Sequence, residues 1–391
     1  MGVDGRGGIW SHSLILLAAA IFLLSLGSGL QNGVSTNFMK ELGLSGSQVL
    51  LQAGIREIPG LCLMFIAAML MRLPLTWRAV ASVAIMGTGY GLFAATHSWT
   101  ALIAVSLMAS LGFHLWMPLN SSLALGLVSK AKSGSILGTL AAVAALASMA
   151  GIGSILLFSQ WLTLRHFLAV AGTLIIAAAI VLSRLPKNIG ETEKEQPRLL
   201  FRRRYWLYYV LLLFEGSRTH VFSAFNIMVL VYNFGLSALQ VSYLLLASGL
   251  VNFLFARRLG HLLDMAGERK TLTGGYLALA LCFVGYALIS NVWVLGTLVV
   301  VINLLVTLSM GLSTYVNRIA PREELTPTLS TGVSVNHITS VGMSFVAGAL
   351  LPIVGYKILS WGVVAVVLLS VPFAMAIRTH LPVPDLADAK A

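Results

Sequence analysis

The chain has 391 residues, of which 58% are hydrophobic and 10% charged, with a mean hydropathy of +0.91. Soluble proteins carry about 25% charged residues, so this composition excludes a soluble globular enzyme and points to a polytopic membrane protein. The net charge of +12 raises nucleic acid as a partner, but the placement of the charges argues against it.

The apolar runs are continuous rather than alternating, so they read as helices and not as barrel strands. At about 20 residues per crossing, a dozen fit. Span 1 covers about 12–39 and turns amphiphilic late, at Gln31, Asn32, Ser35, Thr36 and Asn37. Span 2, about 48–71, holds the adjacent pair Arg56-Glu57 just before Pro59-Gly60, a step that loosens a helix. Spans 3 and 4 fall near 79–96 and 100–128, the latter with Phe113, His114, Trp116, Pro118 and Asn120. Spans 5 and 6 fall near 136–159 and 163–183.

Residues 184–206 are polar and include Glu191, Glu193, Lys194, Glu195 and the run Arg202-Arg203-Arg204, which reads as a solvated tether beside lipid headgroups. Span 7, about 207–234, carries Glu215, Arg218, His220 and Asn226. Span 8, about 239–262, and span 9, about 271–290, flank a short polar turn. Span 10, about 293–318, holds Asn303. Span 11, about 328–351, holds Asn336, His337, Ser340 and Ser344, and span 12 closes near 379. This gives an all-α, polytopic chain of twelve transmembrane helices.

Most Lys and Arg residues occupy one alternating set of loops, chiefly the central stretch and the turn near 257–270. The other set holds only Lys40, Arg165 and Lys357. By the positive-inside rule, both termini face the cytoplasm, as an even number of spans requires. Gly43-Leu44-Ser45-Gly46-Ser47-Gln48-Val49 is echoed by Gly235-Leu236-Ser237-Ala238-Leu239-Gln240-Val241, each copy joining the first two spans of its half. The repeat predicts two pseudo-symmetric six-helix bundles, 1–183 and 207–391, joined by the linker 184–206, with Ser45 or Ser237 as a helix cap.

The turn between spans 8 and 9 reads Gly260-His261-Leu262-Leu263-Asp264-Met265-Ala266-Gly267-Glu268-Arg269-Lys270. Gly260 permits close helix approach, and Gly267 permits the positive φ of a tight turn. Asp264 can accept backbone donors, and Arg269 with Lys270 marks a cytoplasmic loop. The stretch resembles the loop signature G-x-x-x-D-x-x-G-x-[RK]-[RK] of the major facilitator superfamily of transporters. The equivalent first-half loop departs from it, with Arg72 where the aspartate would stand and Leu75 in place of the second glycine. Span 5 lacks the Gly-Pro step of drug-antiporter branches. The resemblance implies alternating access between two six-helix halves, spans 1, 4, 7 and 10 lining a central cavity, and Asp264 latching the cytoplasmic side.

Ionisable groups inside spans are costly in lipid and mark functional sites. Glu215 and Arg218, three apart, share a helix face and can pair, whereas Arg56 and Glu57 point about 100° apart and need partners elsewhere. Glu215 or Glu57 is the expected titrating group of a proton-coupled mechanism. His114, His220 and His337 are further proton or substrate candidates, and Gln31, Asn32, Asn120, Asn303 and Asn336 can bond a solute or another helix. Arg56 and Arg218 suggest a polar, even anionic, substrate. Cys62 and Cys282 give neither a disulfide framework nor metal spacing. No cofactor, metal, enzymatic activity or nucleic-acid partner is expected. The expected partners are a small solute, protons and the bilayer, for a monomer in the cell membrane. The rival readings are an uncoupled facilitator and a non-transporting sensor or scaffold of the same fold.

Overall fold

The computed structural model describes residues 11–62, 70, 73–128, 133–187, 189 and 201–378; Arg72, Lys130, Lys132 and most of the central linker lie outside these residues. Among the described residues the chain is helical, with no strand. Span 1 is His12–Glu41, span 3 Leu75–Phe93, span 4 Trp99–Gly126, span 5 Ser133–Phe158, span 6 Leu164–Leu182 and span 7 Trp206–Asn233. Spans 8 and 9 form one helical run, Ala238–Leu288, broken at Gly267, and spans 11 and 12 form Arg322–Met375, broken at Gly355. Span 10 is Val292–Val306 continued through a 3₁₀ turn, Thr307–Ser309, into Met310–Ile319.

Span 2 is split. Its first helix, Gly46–Ile55, ends at a turn formed by Arg56 and Glu57, and a short helical segment, Ile58–Leu61, follows. Pro59 explains the step, because it has no N–H to donate to the carbonyl of residue 55 four positions earlier.

The two turns of the internal repeat match in structure. Gly43 and Gly235 take φ of 75° and 72°. In the first copy Gln48 N donates to Ser45 Oγ over 3.3 Å while Ser45 N donates to Gln48 Oε1 over 2.9 Å. In the second, Gln240 N and Ser237 N make the corresponding bonds at 3.3 and 2.9 Å. Both expected caps are therefore full capping boxes.

The described contacts divide the chain into two compact units. The first comprises Met1–Gly43, Ile58–Lys194 and Ser237–Leu246. In it, span 1 packs on spans 5 and 6, and span 3 on spans 4 and 6. Gly29 and Gly151 bring the backbones of spans 1 and 5 together, since a Cβ at either would strike Ser148 or Leu26 main chain. Gly172 meets Gly91 between spans 6 and 3 in the same way. Such small-residue contacts are how helices gain packing energy where lipid offers no hydrophobic contrast. Arg165, one of the few basic residues in its set of loops, donates to the carbonyls of Ala94 and Thr96 over 2.6 and 2.8 Å, closing the C-terminal end of span 3.

The second unit comprises Leu44–Glu57, Glu195–Leu236 and Ala247–Ala391. Span 7 packs on the run of spans 11 and 12, and the first helix of span 2 packs on both. The Ser47 hydroxyl donates to the Gly348 carbonyl, and Gly54 faces Ser344. Ser340 Oγ donates to the Gly216 carbonyl over 3.0 Å, tying span 11 to span 7.

Candidate functional site

Span 7 places Glu215 and Arg218 one turn apart, as the spacing predicts. Arg218 Nε donates to Glu215 Oε2 over 3.0 Å, and its Nη2 reaches the same oxygen. Nη1 donates to Ser370 Oγ on span 12 over 3.2 Å, and the guanidinium lies 3.7 Å from the ring centroid of Tyr276 on span 9. Arg218 is 2% exposed and Glu215 7%. Three helices of the second unit thus converge on one cation whose charge is already matched by a carboxylate, a hydroxyl and an aromatic face.

Glu57 sits at the break in span 2 and His337 on span 11. Their side chains meet, Glu57 Oε2 lying 3.1 Å from His337 Nδ1, and both are buried. Arg56 Nε is 3.9 Å from the other carboxylate oxygen, with the Arg56 side chain 39% exposed. Glu57 therefore finds its partner on another helix, as adjacent residues pointing apart require. The sequence names both residues without linking them, because 280 positions separate them.

In the first unit His114 is buried, its Nδ1 lying 2.9 Å from the Ser110 carbonyl and 3.0 Å from the Ser110 hydroxyl, with the Phe113 ring edge-on at 5.4 Å. Gln31 is 3% exposed with no described partner for Oε1; Asn32 is exposed; Asn120 is half-buried with no described partner for Oδ1. In the second unit Asn336 is half-buried and its carbonyl accepts from Thr339 over 3.0 Å. The side chain of His220 lies outside the described residues. A cavity of about 200 Å³ among Ser217, Phe225, Met343, Val346, Leu350 and Val363 is almost wholly apolar, which suits no polar solute.

At the turn between spans 8 and 9, Gly267 adopts φ 75° and ψ 163°, a region open essentially to glycine alone. Gly260 makes no close approach: no described atom lies within contact distance of a Cβ built there. Asp264, Arg269 and Lys270 are exposed. The buried carboxylate of this turn belongs instead to Glu268, 2% exposed, whose Oε1 lies 2.9 Å from Arg318 Nη2 at the end of span 10. Arg318 also suits the C-terminal end of its helix, where cations are favoured. The signature directs attention to Asp264, and nothing in the local sequence marks Glu268 as the residue that turns inward.

A second missed carboxylate is Glu324, in the first turn of the helix Arg322–Met375. It accepts from Arg204 and, over 2.7 Å, from the Tyr205 hydroxyl, while Arg202 Nε lies 3.3 Å away. Burial pushes its carboxyl up, but the hydrogen bonds from Arg204 and Tyr205 and the two arginine charges outweigh it, so the net direction is down. Burial and the bond to Glu324 push the Tyr205 phenol up to about 12. The signal was available: an acid in a first helical turn after a proline, with an arginine run in the linker before the same half.

Against known proteins, the family model described as Major Facilitator Superfamily matches residues 17–326. The fold resembles the crystal structure of the nucleoside transporter NupG with a TM-score of 0.76 at 13% identity, covering 95% of this chain and 100% of that one. A bacterial homologue of the iron transporter ferroportin, in an inward-facing state, gives 0.75 at 18% identity, covering 95% and 100%. A bacterial homologue of the human lysosomal transporter Spinster gives 0.70 at 14%, covering 95% and 96%. No curated protein sequence matches. A family match over most of the chain, on an all-helical fold shared with these transporters, makes this an integral multi-pass membrane transporter and not an enzyme: the chain belongs to the Major Facilitator Superfamily.

Proposed function

We propose that this chain is a secondary active transporter that moves a small polar organic solute across the cell membrane by alternating access, coupled to protons through Glu57 and His337. The observation that carries the coupling is the buried contact of 3.1 Å between these two side chains. A carboxylate facing an imidazole offers two adjacent groups that can each hold and pass a proton, which is what a proton-coupled cycle requires. Glu215 is the weaker choice. Its partner is an arginine that never deprotonates, held in turn by Ser370 and Tyr276, which favours a fixed structural charge over a cycling one.

The same engagement bears on the substrate. Arg218 has no spare charge to offer an anion, whereas Gln31 and Asn120 keep buried amide oxygens with no described partner. This supports a polar solute bound by hydrogen bonds. The halves 1–183 and 207–391, joined by 184–206, are the mobile bodies in this reading, with both termini cytoplasmic and the chain acting as a monomer.

The test is solute accumulation in proteoliposomes, screened over a metabolite panel with an internal pH dye. A proton gradient should drive accumulation in the wild type. Glu57→Gln and His337→Gln should abolish accumulation while leaving gradient-independent exchange. Equal uptake with and without a gradient would make the protein an uncoupled facilitator.

A further inference from the structure

Within the second unit, the part of span 8 from Ala247 onward is joined to span 10 by two polar rungs. Asn303 Nδ2 donates to Ser248 Oγ over 3.4 Å, and Thr307 Oγ1 donates to Asn252 Oδ1 over 3.1 Å. The rungs lie four residues apart on each helix, in the same order on both. Two even-numbered spans run parallel across a membrane, so the pairing is one continuous seam. Thr297 and Asn303 are the only hydroxyl or amide side chains in the helix Val292–Val306, so an amide here is a deliberate expense in an otherwise apolar segment.

The seam does not use all of its polar atoms. Asn303 Nδ2 also donates to the Val299 carbonyl over 3.0 Å. With two acceptors on the nitrogen, the orientation of this amide is set, and Oδ1 has no described partner. Asn252 receives Thr307 on its oxygen, which leaves Nδ2 without a described partner. Both asparagines are half-exposed, not sealed in the bundle. An amide group bare to hydrocarbon would cost several kcal/mol, which argues that these atoms face a water-accessible space. Just beyond them, at Thr307–Ser309, the helix tightens into a 3₁₀ turn, a local irregularity of the kind found at hinges and binding sites.

We infer that this seam is a recognition element for a neutral solute that carries a carbonyl acceptor beside an N–H donor, as in a lactam or imide edge: Asn252 Nδ2 donates to the carbonyl and Asn303 Oδ1 accepts the N–H. The inference rests on the transporter reading and narrows its substrate class. Both protein groups are uncharged, and a site built from one donor and one acceptor discriminates steeply against a solute that lacks either, because a polar atom is then left unpaired.

The test uses the purified full chain and two probes, uridine, which has such an edge, and N3-methyluridine, in which the donor is blocked. Uridine should raise the unfolding temperature of the wild type, and N3-methyluridine should bind about tenfold more weakly. Asn303→Leu should erase that difference. Ser248→Ala, which removes a rung but spares Asn303 Oδ1, should retain it, and this separates recognition from helix packing. The inference is overturned if uridine leaves the wild type unshifted, if the two probes act equally, or if Asn303→Leu still discriminates. Should proteoliposomes accumulate a charged solute while uridine has no effect, transport stands and this substrate class falls. Should uridine discriminate but no solute accumulate on a proton gradient, the site stands and the proton-coupled reading falls.

Discussion

A buried charge is informative through what surrounds it, and Arg218 shows this most clearly. Its carboxylate, hydroxyl and aromatic partners come from spans 7, 12 and 9, so its removal would take from the buried Glu215 the cation that pairs with it. Arg218→Leu should therefore destabilise the protein by about 3–5 kcal/mol, and the double change Glu215→Leu with Arg218→Leu should recover most of the loss. Thermal unfolding in detergent measures both. If the pair is structural, as its enclosure argues, the double variant also transports; if transport is lost while stability returns, Glu215 has a coupling role. Glu324 gives a different signature. Its folded-state carboxyl titrates below the ordinary glutamate value of about 4.3. A depressed pKa means that its stabilisation is present above the unfolded value and fades as pH falls through the folded one. Acidification below about pH 4.5 should thus lower the wild-type unfolding temperature more than that of Glu324→Gln, which has already lost the contribution. The residues were legible as types at these sites, since a charge inside an apolar run is conspicuous. Their partners were not, because Tyr276 and Ser370 look like ordinary core residues until the helices are packed, and His337, though named, stands 280 positions from Glu57.

At the scale of the element, most of the fold was legible because membrane helices announce themselves by length and hydropathy. The local chemistry at their ends was legible too. Ser45 and Ser237 cap their helices with the same pair of bonds, so Ser45→Ala and Ser237→Ala should each cost about 1 kcal/mol, with near-equal effects if the repeat is a true structural duplicate. Unequal shifts in unfolding temperature, beyond a factor of about two to three, would mean that the two turns carry different loads. Gly267 was expected at positive φ and is found there. Gly355, at φ 72° and ψ 168°, performs the same service between spans 11 and 12 and was overlooked, because its flanks, Val354 and Tyr356, carry no turn signal. Replacing either with alanine should cost about 1–3 kcal/mol. Less legible was the split of span 2. Pro59-Gly60 marks the break, but not that Glu57, beside it, would turn to meet His337 on span 11.

For the whole molecule, the sequence argues orientation from charge alone, and the structure supplies sites at which to test it. Phe201 beside the arginine run and Met265 in the turn between spans 8 and 9 are 75% and 74% exposed, and both adjoin basic clusters. Trp161, between spans 5 and 6, and Trp293, after the turn between spans 9 and 10, are 72% and 80% exposed and belong to the basic-poor set. Lysine and arginine are retained on the cytoplasmic side during insertion, because loops that carry them resist translocation. In a background with Cys62 and Cys282 replaced, single cysteines at 201 and 265 should resist an impermeant thiol reagent added to intact cells and react once the membrane is opened. Cysteines at 161 and 293 should react at once. The structural role of Arg165 sharpens this expectation. Its guanidinium is occupied with the carbonyls that end span 3, so its presence on the basic-poor side reflects a local need of the fold and does not weaken the charge bias. Labelling at 201 and 265 in intact cells, with 161 and 293 protected, would invert the orientation and move both termini to the outside. A mixed pattern within either pair would be more damaging, since it would break the even alternation on which the twelve-span topology depends.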